Sequence, residues 1–297
     1  LSFDKTDRTQ LLKEKLDELC LNYDVSHIGS DPIQFPHRYR NPSDIEAAAF
    51  IASSLAYGNV ASIRRNLERV FSFLGTHPHE TLLSINPGEL TSALSGFKHR
   101  FTTVKHLSLL LLITRVALIE HGSLKNLFLE GHVSDRPSIK ESLIYFVDHL
   151  LGQDVRPVYR SVQEAHEDGA LFLLPSPRNG AACKRLNLFL RWMVRTGDAI
   201  DFGLWPEVSR SQLVIPLDTH AARLSRYLGL TKRKTSDWKT AEEITDALRK
   251  LDPTDPLKYD FSLTRLGILG DCDSKEGQSR CDECVLAELC SREILVS

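Results

Sequence analysis

Apolar residues recur along this chain at helical spacing. In residues 9–21, Leu12, Leu16 and Leu19 fall at i, i+4 and i+7, the stripe of an amphipathic helix. Ser43 followed by Glu46 has the form of a capping box. It opens a run of small residues, 47–56, predicted to pack closely and to end at Gly58. Further helices are predicted at about residues 61–74, 104–120, 138–151, 181–195, 221–228, 240–251 and 256–266. No hairpin dipeptide lies between runs of alternating pattern, and no internal repeat is present. The expected fold class is all-α. Residues 196–214 change character, mixing Gly, Asp, Trp, Pro and Ser. They read either as a connection between two helical bodies or as an ordered insertion carrying Trp205.

A length of 297 residues points to about two domains. With 42% hydrophobic and 26% charged residues, the composition excludes a disordered or collagen-like chain. Lys and Arg total 37 against 39 Asp and Glu, a net charge of −2. That excludes a polybasic electrostatic binder, although a local basic face remains open. The N-terminal residues lack an apolar signal core. The most apolar stretch, residues 107–119, contains Arg115 and is shorter than the roughly 20 residues of a membrane span. It is expected to be a buried core helix in a cytoplasmic protein that meets no membrane.

Six cysteines are too few for a disulfide scaffold, but four of them crowd the C-terminal end as Cys272-x8-Cys281-x2-Cys284-x5-Cys290. Four thiolates so close together call for a soft metal centre, either zinc or an iron–sulfur cluster. A zinc ribbon uses two C-x2-C pairs and only one is present, so the spacing favours a [4Fe–4S] cluster, with Zn as the alternative. Cys20 and Cys183 sit alone on helical segments and read as buried hydrophobes.

The tail resembles the cluster loop of the endonuclease III family, helix-hairpin-helix DNA glycosylases with a C-x6-C-x2-C-x5-C motif. Here the first gap is two residues longer. The stretch Ile215-Pro216-Leu217-Asp218-Thr219-His220-Ala221-Ala222-Arg223-Leu224 is similar to the family's V-D-T-H-x-x-R-V. Leu174-Pro175, followed by Gly180-Ala181-Ala182-Cys183-Lys184-Arg185-Leu186-Asn187, is similar to its L-P-G-V-G-R-K-T-A-N hairpin and helix. The likeness covers about residues 43–290 and is strongest over 174–290. It suggests a bacterial branch of the superfamily distinct from its well-studied members. The hairpin is longer than the family's, and residues 196–214 separate the lysine from the aspartate.

The resemblance implies a two-domain glycosylase fold. A helical barrel would span residues 41–196 and end in the helix-hairpin-helix. Residues 1–40 and 197–297 would form the second domain, with the cluster loop at 272–290. It also implies excision of a damaged or unusual base from double-stranded DNA by a nucleoid-associated monomer, with AP lyase activity. Asp218 would stabilise positive charge on the sugar, and it also reads as a plain helix N-cap. Lys184 would form a Schiff base at C1′, its neighbour Arg185 helping to keep the amine neutral; the competing reading is a solvated helix lysine.

DNA contact is expected from Arg178, Arg185 and His220, and from the backbone amides of Gly180, Ala181 and Ala182 at a helix N-terminus. An ordinary Pro/Asn/Gly turn is the alternative for that segment. Leu55 is read either as an apolar wedge or as core, with Tyr57 and Asn59 placed to touch an orphaned base. A basic side including Arg191, Arg195, Arg210, Arg223 and Arg226 would face DNA. Trp192, Phe202 and Trp205 are candidates to stack on a flipped base, with buried packing expected for at least two of them. Two rival readings are a non-catalytic iron–sulfur protein that recognises distorted DNA and a zinc-stapled helical interaction module.

Overall fold

The computed structural model describes residues 5–272 and 280–291. The chain is mostly helical. α1 (Lys5–Asn22) leads through three short 3-10 segments to α2 (Pro42–Ser54) and α3 (Val60–Leu74). The short α4 (Pro78–Ser84) and α5 (Pro87–Ala93) precede a small antiparallel hairpin of β1 (Lys98–His99) and β2 (Thr102–Thr103). Then come α6 (Val104–His121), α7 (Leu124–Glu130), α8 (Lys140–Leu151), α9 (Val162–Glu167) and α10 (Lys184–Val194). After a long irregular stretch follow α11 (Thr219–Tyr227), α12 (Trp238–Arg249) and α13 (Asp260–Ile268).

The longer helices follow the predicted stripes. In α3, Asn59 caps the amides of Ala61 and Ser62, and Ile63, Leu67, Val70, Phe71 and Leu74 turn inward. Gly75, at φ +70°, ends the helix. α6 starts on a Thr103 cap reciprocated by His106 and stops at the left-handed Gly122. Leu107, Leu110 and Leu111 of α6 are buried, so its apolar run serves the core. Among the described residues, no single helix is long and apolar enough to cross a membrane; α6 and α7 reach that composition only as a pair bent by 72°.

The predicted capping box at Ser43 does not form. Pro42, with its fixed φ and no amide hydrogen, takes the first helical position, and Asn41 is the cap, accepting from Ser43 N at 2.9 Å. Glu46 instead turns into the core. Its carboxylate accepts from the amides of Leu124 (2.8 Å) and Lys125 (3.1 Å) and from Trp205 Nε1 (3.0 Å). It therefore caps α7, a helix 78 residues further along the chain, and ties it to the irregular stretch.

α2 lies against α10 and α4, α6 packs on α4, α5, α7 and α8, and α13 packs on both α11 and α1. One apolar core runs from Leu12 to Leu289. Residues 196–214 are an ordered insertion laid along α10, with Phe202 N on Trp192 O (2.8 Å) and Trp205 N on Met193 O (2.9 Å). Trp192 and Trp205 are buried, which removes both as surfaces for a flipped base. Phe202 is half-buried beside His37.

Arg191 and Arg195 also leave the expected basic face. They are buried in an ion network with Asp201, Asp255 and Asp260. Arg195 reaches Asp255 through two nitrogens, at 2.9 and 3.0 Å. The surrounding carboxylates hold both guanidiniums charged, above their usual range, against the opposing effect of burial.

Candidate functional site

Lys184 is the first residue of α10, and the turn before it is strained. Cys183 sits at φ +49°, a left-handed conformation unusual for a residue with a side chain. Its buried thiol is directed at the carbonyls of Pro175 (3.3 Å) and Ala181 (3.2 Å). Burial pushes that thiol up to about 12, so it stays protonated and inert. The backbone therefore turns sharply and sends Lys184 towards the end of α2. Lys184 Nζ donates to Ala56 O at 3.0 Å and lies 3.7 Å from Asp218 Oδ2.

Asp218 caps α11. Its Oδ1 accepts from Ala221 N at 2.8 Å, while Oδ2 faces the lysine. The two readings of this residue are therefore compatible: one oxygen holds the helix and the other meets an amine. The Lys184 and Asp218 side chains are only 30% and 15% exposed. Both line a cleft of about 590 Å³ between the α2–α3 turn and the helices α10, α11 and α13.

His220 also lines this cleft, beside Gly267. A Cβ at residue 267 would stand 2.7 Å from the His220 ring, so glycine is required for the close approach. His220 Nδ1 is buried with no hydrogen-bond partner among the described residues, and burial lowers the ring's basicity. Asp260, bonded to Arg191 through Oδ2, has an Oδ1 with no hydrogen-bond partner among the described residues, and burial pushes its carboxyl up. Arg265 lines the same cleft and anchors Asp31 at 2.7 Å and Ser30 at 3.0 Å.

Several expected contacts are corrected. Leu55 is fully buried, so it is core and not a wedge. Arg185 is buried too. It donates to the carbonyls of Ser54 and Phe172 and lies over the Phe172 ring at 4.3 Å. Burial lowers its guanidinium to about 10, still charged at neutral pH, and enclosure by α2 and Phe172 keeps it from DNA.

Gly180, Ala181 and Ala182 precede the helix and are not its first turn. The Gly180 amide donates to Pro177 O at 2.9 Å, and its carbonyl accepts from Trp238 N. Of the two readings of this segment, the ordinary turn is the one formed at Gly180; Ala181 and Ala182 are half-buried. Arg178 is exposed and paired with Asp148. Tyr57 lines the cleft, its hydroxyl held by His99 O (2.8 Å) and Thr102 Oγ1 (2.7 Å). Asn59 is there as well, with its side-chain oxygen engaged as the α3 cap.

The β-hairpin adds residues that the sequence pattern did not single out. Arg100, at φ +53°, packs its stem against Gly58 and lines the cleft. A Cβ at Gly58 would come within 2.6 Å of Arg100 Cδ. Phe101, next to it at the tip, is 67% exposed, and its ring meets the exposed Phe172 edge-on at 6.3 Å. A lone aromatic inside His-Arg-Phe-Thr-Thr was the available signal.

The four C-terminal cysteines line one cavity of about 300 Å³, walled by Leu224, Leu266 and Leu286. Burial raises the Cys284 thiol, and the neighbouring Cys290 and Cys281 push it the same way. Arg223 Nη2 donates to Cys272 O at 2.6 Å. The extra length expected between Cys272 and Cys281 falls on residues 273–279, outside the described residues.

No curated protein and no solved structure matches the chain. A family model does match, over residues 31–269, a span that contains Lys184, Asp218 and every other residue assigned above to the cleft except Ser30. The chain belongs to the family described as protein of unknown function (DUF2400).

Proposed function

We propose that the protein is a DNA base-excision enzyme with lyase activity, built on a helix-hairpin-helix glycosylase plan of two domains. The supporting observation is the approach of Lys184 to Asp218 from separate helices, 3.7 Å apart in one cleft and both mostly shielded from water. An amine near a carboxylate in a cleft matches what cleavage at a sugar C1′ requires.

In this reading Asp218 takes a proton from the Lys184 ammonium. The freed amine attacks C1′, and the C1′–N bond breaks with its electron pair leaving on the base, which takes the proton held by Asp218. Opening of the sugar ring leaves an imine between C1′ and Nζ. Asp218, again a carboxylate, takes a C2′ proton; the C–H pair forms a C2′=C3′ double bond as the C3′–O bond breaks, and the 3′-phosphate departs with the C–O pair. Water then hydrolyses the imine and returns the lysine.

Exposed Phe101 takes the wedge role that buried Leu55 cannot, because an aromatic at a tip beside the cleft can enter a base step. The four cysteines fit a [4Fe–4S] cluster, since they converge on one cavity with apolar walls; hydrolysis at C1′ needs no electron, so such a cluster would supply structure.

The test is borohydride trapping on a duplex with one abasic site, which does not depend on knowing the lesion. The expected result is a covalent adduct with the wild-type chain and none with Lys184→Ala. No adduct in the wild type, or one that persists in Lys184→Ala, would overturn the lyase reading. Duplex binding retained without any adduct would favour the non-catalytic alternative.

A further inference from the structure

Away from the cleft and the cysteines, side chains at the ends of α6 and α8 converge. Glu120 and His121 close α6, and His149 lies in the last turn of α8. His121 Nε2 and His149 Nε2 face each other at 3.0 Å. Glu120 Oε2 lies 3.9 Å from the first and 3.6 Å from the second. We propose that Glu120, His121 and His149 bind a divalent cation of the zinc class.

The geometry supports this in three ways. A triangle with edges of 3.0, 3.6 and 3.9 Å has a circumradius of about 2.1 Å, the usual length of zinc–nitrogen and zinc–oxygen bonds. One ion can therefore touch all three atoms with little movement. Second, the orientation of His121 is fixed from behind. Its Nδ1 lies 2.5 Å from Glu130 Oε1, and Glu130 is itself held by the Tyr145 hydroxyl at 3.1 Å. With the Nδ1 proton directed at Glu130, Nε2 presents a bare lone pair, the carboxylate–histidine arrangement that supports metal ligands. Third, a hydrogen bond between the two rings accounts for two of the atoms but not for the third donor. Glu120 converges on the same point and is braced by Gln153 Nε2 at 3.1 Å.

Two imidazoles and a carboxylate favour zinc over calcium or magnesium, which prefer all-oxygen sites. With Glu120 half exposed, a fourth position stays open to water. The ion would clamp the C-terminal ends of α6 and α8 together. It would sit one residue from Asp148, the partner of Arg178 in the turn before α10. The site stands independently of the proposed DNA chemistry.

The experiment measures Zn²⁺ bound by the full chain, with its cysteine site in its native state, across buffered free zinc. Wild type and the surface control His166→Gln should bind one equivalent more than His149→Gln. Glu130→Gln should retain the site but weaken it by about 10–100-fold. Cobalt loaded into this site should lack a thiolate charge-transfer band, which separates it from the cysteines. Added zinc should raise the melting temperature of wild type and not of His149→Gln. Should His149→Gln fail to fold, Glu120→Gln at a half-exposed position serves the same purpose. Equal zinc uptake by wild type and these variants at every concentration would overturn the proposal.

Discussion

The molecule holds two sets of opposite charges a few ångströms apart, built on opposite principles. Along the inner side of α10, Arg191 and Arg195 are fully buried, and between them they engage Asp198, Asp201, Asp255 and Asp260. At the start of the same helix, Lys184 meets Asp218 at 3.7 Å, with water still able to reach both. In the first set the guanidiniums are surrounded by carboxylates, so removing one charge strands its partners in a dry interior. In the second, each group has a backbone partner besides the other: Ala56 O for the amine, the Ala221 amide for the carboxylate. Such a pair can lose one member with its partner still hydrogen-bonded to the backbone. Burial and partner number, more than charge itself, separate the pairs that hold the fold from the pair in the proposed site.

The largest effect should come from the buried set. Arg195→Met keeps most of the volume but leaves Asp201 and Asp255 short of a counter-charge, and should cost about 3–5 kcal/mol. Equilibrium urea unfolding would measure it. A loss below about 1 kcal/mol would mean that the network is not the strut its burial indicates.

Glu46→Gln should come next. One carboxylate receives three donors, and an amide replaces one of the accepting oxygens with a donor. An unfilled buried N–H costs about 1–3 kcal/mol, and the start of α7 and Trp205 should loosen together. Faster amide exchange at Leu124 and Lys125, along with a lower unfolding midpoint, would show it. Unchanged exchange would sink the assignment of Glu46 as the α7 cap.

How far these regions were legible in the sequence depends on the range of the interactions. The stripes of α3, α6 and α12 are local in period, and their helices lie within a few residues of expectation. α4, α5, α7 and α9 span six or seven residues each, too short for a period to register, and the two-residue strands give no alternation at all. Glu46 misled because its spacing from Ser43 is a local cue, whereas its partners lie some 78 and 159 residues away. Leu55 and Arg185 were read by position in a motif, but α2 packing on α10 encloses both. The capping side of Asp218 was local and readable. Its second oxygen meeting Lys184 was an expectation taken from resemblance alone, and distance along the chain could not have supplied it.

A smaller effect depends on pH and comes from neutral rings outside both sets of charges. His99, His132 and His220 all have their basicity lowered by burial. His99 uses both nitrogens while neutral, facing Asn66 Nδ2 at 3.1 Å and Tyr57 O at 2.9 Å. In the unfolded chain each ring takes up a proton near its ordinary value of 6.5, which the folded chain resists until lower pH. Stability should therefore be level above about pH 6.5 and fall as pH drops towards the folded values. Melting temperatures between pH 8 and pH 5 would trace it, and His99→Gln should flatten the slope. Stability that rises on acidification through this range would contradict the neutral rings.

The smallest effect on stability should be at Lys184 itself. Methionine keeps the aliphatic stem against the cleft wall and removes only the ammonium. Ala56 O then turns to water, and Asp218 keeps its cap on Ala221 N, so unfolding should shift by no more than about 0.5–1 kcal/mol. Asp218→Ala, in contrast, removes that cap and should cost about 1 kcal/mol. A Lys184→Met protein as stable as wild type but silent in borohydride trapping would place the lysine on the chemical side of the comparison. A loss near that of Arg195→Met would move it to the structural side, because a residue whose removal unfolds the protein cannot be separated from the scaffold by its activity alone.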